Sequence, residues 1–385
     1  MIRRLPLVAL AAALSLSVAS CSSSTTGTSN APDTGVSNKA QQALDQMKGQ
    51  VLSKGPNGET PSPASAADLT PDEIQKVKGL NSKAAIVMHY GGNDWATAQI
   101  NGLKSEFEKL GIKVIATTDA NFKPDKQVSD IETVMSQNPN IIVSIPTDPV
   151  ATASAYKKAA AAGTKLVFMD NIPQGLTAGQ DYVSVVSADN YGNGVVSAHQ
   201  MAKALGGKGK IGVVFHQADF FVTKQRYQGF KDTITKEYPD IKIVEEKGIA
   251  GPDFAGDAQA AANAMLSKYA DLSGIWAVWD VPAEGVMAAA RAAGRPDLKI
   301  ATEDLGKNVA IALAKDELVV GLGAQVPFDQ GVTEARLAAG ALIGKKAPAY
   351  VALSAVPVDH SNVLDAWKQV YHEDAPKDIQ DSYKK

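Results

Sequence analysis

The chain has 385 residues, 45% of them apolar and 21% charged, enough hydrophobic material for two cores of roughly 100 to 200 residues each. Its 38 basic and 41 acidic residues leave a formal charge of −3, so bulk electrostatics offer no polyanion-binding surface and argue against nucleic acid as a partner. Cys21 is the single cysteine, which rules out an internal disulfide, a Cys-rich zinc site and an iron–sulfur cluster.

The N-terminus reads as an export signal over residues 1–20. Arg3 and Arg4 precede an almost wholly apolar run from Leu5 to Val18, too short for a membrane span of ~20 residues. Val18-Ala19-Ser20-Cys21 resembles a bacterial lipobox, which implies a diacylglyceryl anchor on the Cys21 thiol and an extracytoplasmic protein tethered to the outer face of the membrane. Residues 21–35 are Ser, Thr, Gly, Asn and Pro with few apolar groups, a composition expected of a flexible tether. A helical extension is expected over 36–82. Ala43, Leu44, Met47 and Val51 mark one helix, and Thr70-Pro71-Asp72-Glu73 marks the start of another, with Thr70 as N-cap and Pro71 at its first position.

From Ala84 onward short apolar runs alternate with helical periods. Strands are expected at Ala84 to Met88, Ile112 to Ala116, Ile141 to Ile145, Lys165 to Met169 and Tyr182 to Val186. A second series follows at Lys210 to Phe215, Ile241 to Val244, Ile275 to Val278 and Leu298 to Thr302. Between the first two strands Ala96, Ile100, Leu103, Phe107 and Leu110 line one helix face. Strands apolar on both faces and separated by helices indicate α/β architecture with covered parallel sheets. The repeated rhythm implies two similar doubly wound lobes, and such sheets bind ligands at the C-terminal ends of their strands.

Those ends carry His89 through Trp95, Asp170 and Asn171, then Phe220, Phe221, Arg226, Phe254, Trp279, Asp280, Glu303, Asp304 and Gln325. Carboxylates, amides, a guanidinium and aromatic rings together suit a small polyhydroxylated molecule, whose hydroxyls bond to the polar groups and whose C–H faces pack on the rings. Singly each is weak: an aspartate after a strand is often an N-cap, and a lone arginine on a helix often a surface ion pair.

About three quarters of the chain, from about Lys83 to about Val370, resembles the type I periplasmic sugar-binding proteins, the ribose-binding protein group that feeds ABC importers. The resemblance rests on Asn93-Asp94-Trp95 with Asn101-Gly102-Leu103, Lys126-Gln127, Ile145-Pro146-Thr147-Asp148, Phe168-Met169-Asp170 and Ser187-Ala188-Asp189-Asn190. It continues through Gly206-Gly207-Lys208-Gly209, Gln225-Arg226-Tyr227-Gln228-Gly229-Phe230, Pro252-Asp253-Phe254, Asp280 ahead of Ala283-Glu284-Gly285, Glu303-Asp304-Leu305 and Ala324-Gln325-Val326-Pro327.

The resemblance implies two lobes joined by a three-stranded hinge, residues 84–189 plus 326–349 forming the first and 190–325 plus 350–385 the second. Crossings are expected near Asp189-Asn190, Ala324-Gln325 and Ala349-Tyr350. It implies ligand contacts at Asn93, Trp95, Asp170, Arg226, Phe254, Asp280, Asp304 and Gln325. Asn171 stands where the family commonly has Arg, and Trp279 where it commonly has Asn; Phe221 joins the candidate set as an aromatic after the second lobe's first strand. Three aspartates against Arg226 give the candidate contacts a nominal charge of −2, which favours an uncharged ligand: a tetritol, pentitol or pentose. Alanine at Asp280 or Arg226 is expected to lower affinity at least tenfold without loss of folding.

A monomer delivering its ligand to a permease and its ATPase is the reading this favours. A sensor lipoprotein signalling to a receptor, or a binder of a furanone-type signal, stays open. An enzyme is disfavoured because no Gly-x-Gly-x-x-Gly follows the opening strand and neither a phosphate-binding loop nor a Gly-x-Ser-x-Gly elbow occurs. No cofactor is implied, and the five scattered histidines give no metal-ligand spacing. His89 and His216 follow strands and rank below the carboxylates as pocket residues. A repressor of the same fold would need a basic helix-turn-helix head where this chain has its export signal.

Overall fold

The computed structural model describes residues 34–384; the expected export signal, Cys21 and nearly all of the tether lie outside them. Ahead of the lobes come α1 (Thr34–Met47) and α2 (Pro71–Lys78), the latter opened by the expected capping box between Thr70 and Glu73 with Pro71 in its first turn.

The apolar runs then build two six-stranded sheets. The first takes β1 (Lys83–Met88), β2 (Lys113–Asp119), β3 (Ile141–Ser144), β4 (Lys165–Met169) and β5 (Ser184–Ala188). The second takes β6 (Gly209–His216), β7 (Ile241–Ile249), β8 (Leu272–Ala277), β9 (Lys299–Glu303) and β10 (Val319–Ala324). Two short strands, β11 (Tyr350–Leu353) and β12 (Val356–Val358), complete one sheet each. The orders are β11-β5-β4-β3-β1-β2 and β12-β10-β9-β8-β6-β7. One arrangement therefore occurs twice, with β1 matching β6, β2 matching β7 and β4 matching β9. All pairs are parallel except β10 with β12. Ala84 to Met88 and Ile141 to Ser144 are wholly buried, as a sheet covered on both faces requires.

The first sheet packs against α3 (Asp94–Lys109), α4 (Pro124–Met135) and α5 (Ala153–Ala161). Covering the second are α6 (Asn190–Leu205), α7 (Phe221–Glu237), α8 (Phe254–Lys268), α9 (Asp280–Ala292) and α10 (Lys307–Ala314). α11 (Pro327–Leu342) returns to the first sheet and packs on α3; α12 (Val363–Tyr371) and α13 (Lys377–Ser382) rest on α10. At one crossing, backbones touch directly. A Cβ on Gly194 of α6 would lie 2.1 Å from the Arg226 carbonyl oxygen, and one on Gly229 of α7 would lie 2.2 Å from that of Tyr191. The missing side chains seat α7 flush on α6 and so fix where Arg226 emerges.

The chain passes between the lobes at Asp189-Asn190, again between β10 and α11, and a third time between β11 and β12. The third falls at Ser354-Ala355 instead of Ala349-Tyr350, because Tyr350, Val351, Ala352 and Leu353 pair in register with Val185, Val186, Ser187 and Ala188. Residues 350–353 thus belong to the first sheet, where four consecutive buried side chains complete its edge.

Candidate ligand-binding site

Both sheets end at one cleft, and matching strands deliver matching groups to it. β1 leads into His89 and β6 ends at His216; Asp170 follows β4 and Asp304 follows β9. Both aspartates adopt left-handed backbone, with φ of 55° and 62°, a conformation uncommon for residues with a Cβ that turns the chain sharply where the strand stops. The first lobe also contributes Tyr90, Asn93, Trp95 and Phe122, and the second Phe220, Thr223, Arg226 and Trp279, with Gln325 arriving from the second crossing.

The polar residues form one connected chain that runs through the hinge. Ser187 donates its hydroxyl to Asp170 Oδ1 at 2.5 Å, and Asn190 Nδ2 donates to Ser187 Oγ at 3.0 Å. Asn190 Oδ1 then accepts from Arg226 Nε at 3.1 Å. The Arg226 guanidinium grips Asp304 with both arms at 2.9 and 3.2 Å, and Gln325 Nε2 donates to Asp304 Oδ1 at 2.9 Å. This planar fork on a carboxylate is a geometry lysine does not reproduce. Arg226 is only 2% exposed, so it is no surface ion pair.

Above this floor the lining is aromatic from both sides. His89 of the first lobe stacks on Phe220 of the second, with centroids 5.7 Å apart and planes 15° apart, and Phe122 meets Phe254 edge-on at 5.5 Å. Asp94 Oδ2 of the first lobe accepts a hydrogen bond from the Lys307 backbone nitrogen of the second at 2.7 Å. These contacts make the conformation a closed one. The closed cleft keeps a cavity of about 70 Å³, room for about five water molecules. His89 Nδ1, Trp95 Nε1 and Gln325 Oε1 are buried atoms of lining residues without a protein partner, the groups a bound polar molecule would satisfy.

Burial holds the histidines neutral, moving His89 from an ordinary value of 6.5 down to about 3 and His216 down to about 4. A histidine whose folded value is depressed contributes stability that is present above its unfolded value and lost as pH falls below it. The stability of the native chain relative to a His89→Phe variant is therefore expected to drop by about 2 kcal/mol between pH 7 and 5. Paired denaturant melts at the two pH values read this out; parallel curves would show that His89 does not titrate on unfolding. Burial also pushes the Asp170 carboxyl up to about 6, against the opposing pull of Ser187 and Arg226.

Residues 84–346 match the family described as a periplasmic binding protein domain. This chain belongs to that family. It is 28% identical over 286 residues to the ribose import binding protein of Bacillus subtilis, covering 73% of this chain and 90% of the relative. It is 25% identical over 253 residues to a D-apiose import binding protein of Actinobacillus succinogenes, covering 65% of this chain and 78% of the relative. Among solved structures, an ABC transporter solute-binding protein from Agrobacterium vitis bound to α-D-tagatopyranose superposes with a TM-score of 0.69 at 25% identity, over 76% of this chain and all of that one. Both relatives are import binding proteins. The two-lobed α/β architecture is that of the type I periplasmic binding proteins.

Seven of the residues singled out from the sequence line the cavity of this periplasmic binding protein: Asn93, Trp95, Asp170, Arg226, Trp279, Asp304 and Gln325. Four do not line it. Asn171 turns away and donates to the Pro146 carbonyl at 3.3 Å. Phe221 is the first residue of α7, and the ring in the lining is that of Phe220, the extended residue just before it. Phe254 stands behind the lining, edge-on to Phe122, His216 and Trp279. Asp280 opens α9, accepts from the Val281 nitrogen at 2.9 Å and lies under Gly306. Without Asp280 the lining carries a nominal −1 instead of −2. The sequence ranked His89 and His216 too low; their equivalent placement after the first strand of each series was the signal that could have raised them. Tyr90 lies in the His89-to-Trp95 stretch already singled out after the first strand, whereas Phe122 follows β2 with no comparable signal. Among the described residues no group of three or more His, Cys, Asp or Glu could hold a metal ion.

Proposed function

We propose that the chain is an extracytoplasmic solute-binding protein of an ABC importer. It closes its lobes on a small uncharged sugar or sugar alcohol, of pentose, pentitol or tetritol size, and presents it to a permease and its ATPase. The observation that carries this reading is the single cleft in which both lobes face each other with aromatic rings over the Asp170-to-Gln325 polar chain. Arg226 and Asp304 already neutralise each other, so no cationic group is left over for a sugar acid or phosphate. Ligand hydroxyls have Asp170, the Asn93 amide nitrogen and the unpartnered atoms of His89, Trp95 and Gln325 to meet. A cavity of about 70 Å³ suits a monosaccharide or shorter polyol better than a disaccharide. Closure follows from linkage: a ligand that touches both lobes only in the closed form shifts the population toward it. On this reading the protein works as a monomer held to the membrane by a lipid on Cys21.

A thermal-shift screen over neutral pentoses, pentitols, tetritols, sugar acids, disaccharides and furanone-type compounds tests the proposal. Stabilisation should come from the small neutral polyols, growing with concentration as binding to the native state demands. A response confined to sugar acids, disaccharides or furanones would refute it. The pH dependence is a second check. A ligand hydroxyl that donates to Asp170 competes with a proton, and with the carboxyl at about 6 affinity should fall about tenfold between pH 7 and 5. Asp170→Asn should flatten that profile.

A further inference from the structure

Residues 34–82 precede the matched family segment, yet they are bonded to both lobes and to the hinge between them. α1 lies on α6 of the second lobe: Leu44 and Met47 pack with Val195 and Val196, and Lys203 Nζ donates to Gln41 Oε1 at 2.8 Å. Farther on, Ser62 joins the first lobe. Its nitrogen donates to the Tyr350 carbonyl at 3.0 Å and its carbonyl accepts from Ala352 N at 3.2 Å, which extends the first sheet beyond its edge strand. Asp68 and Glu73 then bind Arg336 and Lys345, next to or on α11.

Between these anchors the segment is clasped to the first crossing. The Asp189 carboxylate accepts from the nitrogens of Leu52 and Ser53 at 2.9 and 2.8 Å and from the Ser53 hydroxyl at 2.7 Å. Ser53 Oγ in turn accepts from Tyr191 N at 3.0 Å, at the start of α6. Asp189 and Ser53 are both buried. The segment meets both lobes here, with Val51 packed against the first-lobe core. The Lys54 carbonyl is held by Gln225 Nε2 of α7 at 2.9 Å, whereas Gly55 lies so close to the Tyr350 ring of β11 that a Cβ would sit 3.0 Å from it.

We propose that this extension is a fourth connection between the lobes, a strap that holds the hinge toward its closed form. The proposal rests on the hinge-closure reading above. Opening rotates the lobes about crossings that include Asp189-Asn190. Rotation therefore pulls on the buried Asp189 clasp and on the anchors at either side of it, α1 on α6 and Ser62 on β11. Buried hydrogen bonds to a carboxylate are costly to leave unmade, so the strap favours the closed population before any ligand arrives.

Single-molecule energy transfer on the full-length chain tests this without a sugar. Dyes go on cysteines introduced as Asp125→Cys in the first lobe and Ala260→Cys in the second, both exposed, in a Cys21→Ser background. Inserting Gly-Ser-Gly-Ser between Lys54 and Gly55 keeps every anchor and adds slack. It should raise the low-transfer, open population at least threefold, and Ser53→Ala should raise it less, in the same direction. An open population unchanged by either variant, or a parent chain already as open as the insertion variant, would overturn the proposal. Circular dichroism on the same samples separates opening from unfolding. Failure of the polyol screen alongside a clear strap effect would remove only the ligand reading.

Discussion

Replacing Arg226 by alanine is expected to destabilise the fold by about 3–5 kcal/mol, the usual consequence of removing one partner of a buried ion pair, and to abolish measurable polyol binding. The loss is large because Arg226 makes four hydrogen bonds to three groups. Its fork holds Asp304, its Nε holds Asn190 at the first crossing and its Nη1 reaches the Val278 carbonyl at 3.2 Å. It also offsets the neighbouring Glu303, whose burial pushes the carboxyl well above the usual range. From sequence alone the same substitution was expected to spare folding; burial reverses that expectation. Denaturant unfolding with titration on the same preparation measures both effects. Arg226→Lys keeps the charge without the fork, and should recover part of the stability but little of the affinity. A truncated variant as stable as the parent would show that the buried network is not what holds the floor of the cleft.

Gly194→Ala should have the second-largest effect, although residue 194 touches no ligand. A methyl 2.1 Å from the Arg226 carbonyl oxygen and 2.7 Å from the Phe230 nitrogen meets backbone, which cannot rotate out of the way. α7 must move off α6, carrying Arg226 from Asp304. Overpacking of this kind typically costs about 1–3 kcal/mol, and the displaced guanidinium should weaken polyol binding at least tenfold. Comparing melting temperature and titration of this variant with those of Gly79→Ala, where φ is −66° and a Cβ would make only ordinary contacts from 3.5 Å, separates crowding at α6–α7 from glycine replacement in general. Equal affinity in the two variants would contradict the packing account.

The alternation of strands and helices was legible because residues such as Ala84 to Met88 are buried on both faces, so their apolar runs are uninterrupted. Harder to read was the end of the chain. Tyr350–Leu353 and Val356–Val358 are short apolar runs only two residues apart, and nothing in composition shows that they belong to different sheets. The carboxylates of the site were legible from motif order, but not where each side chain points. Asp280 and Asp304 both follow strands, yet Asp280 turns to its own helix start while the left-handed turn at Asp304 aims it at Arg226. The histidines were ambiguous because a single His after a strand carries no sign of burial. The strap was invisible for a different reason: Asp189 was legible as a crossing, but its partner Ser53 lies 136 positions away in a stretch with no recognisable pattern.

Isothermal titration of the chain with a tetritol, a pentitol and a pentose, set beside glucuronate and a disaccharide, tests the central claim most directly. One-site binding to at least one small neutral member, with a negative heat-capacity change from apolar burial and loss of the signal in Arg226→Lys, is the predicted result. Preferential binding of glucuronate or the disaccharide, with no heat from any small uncharged polyol, would contradict it.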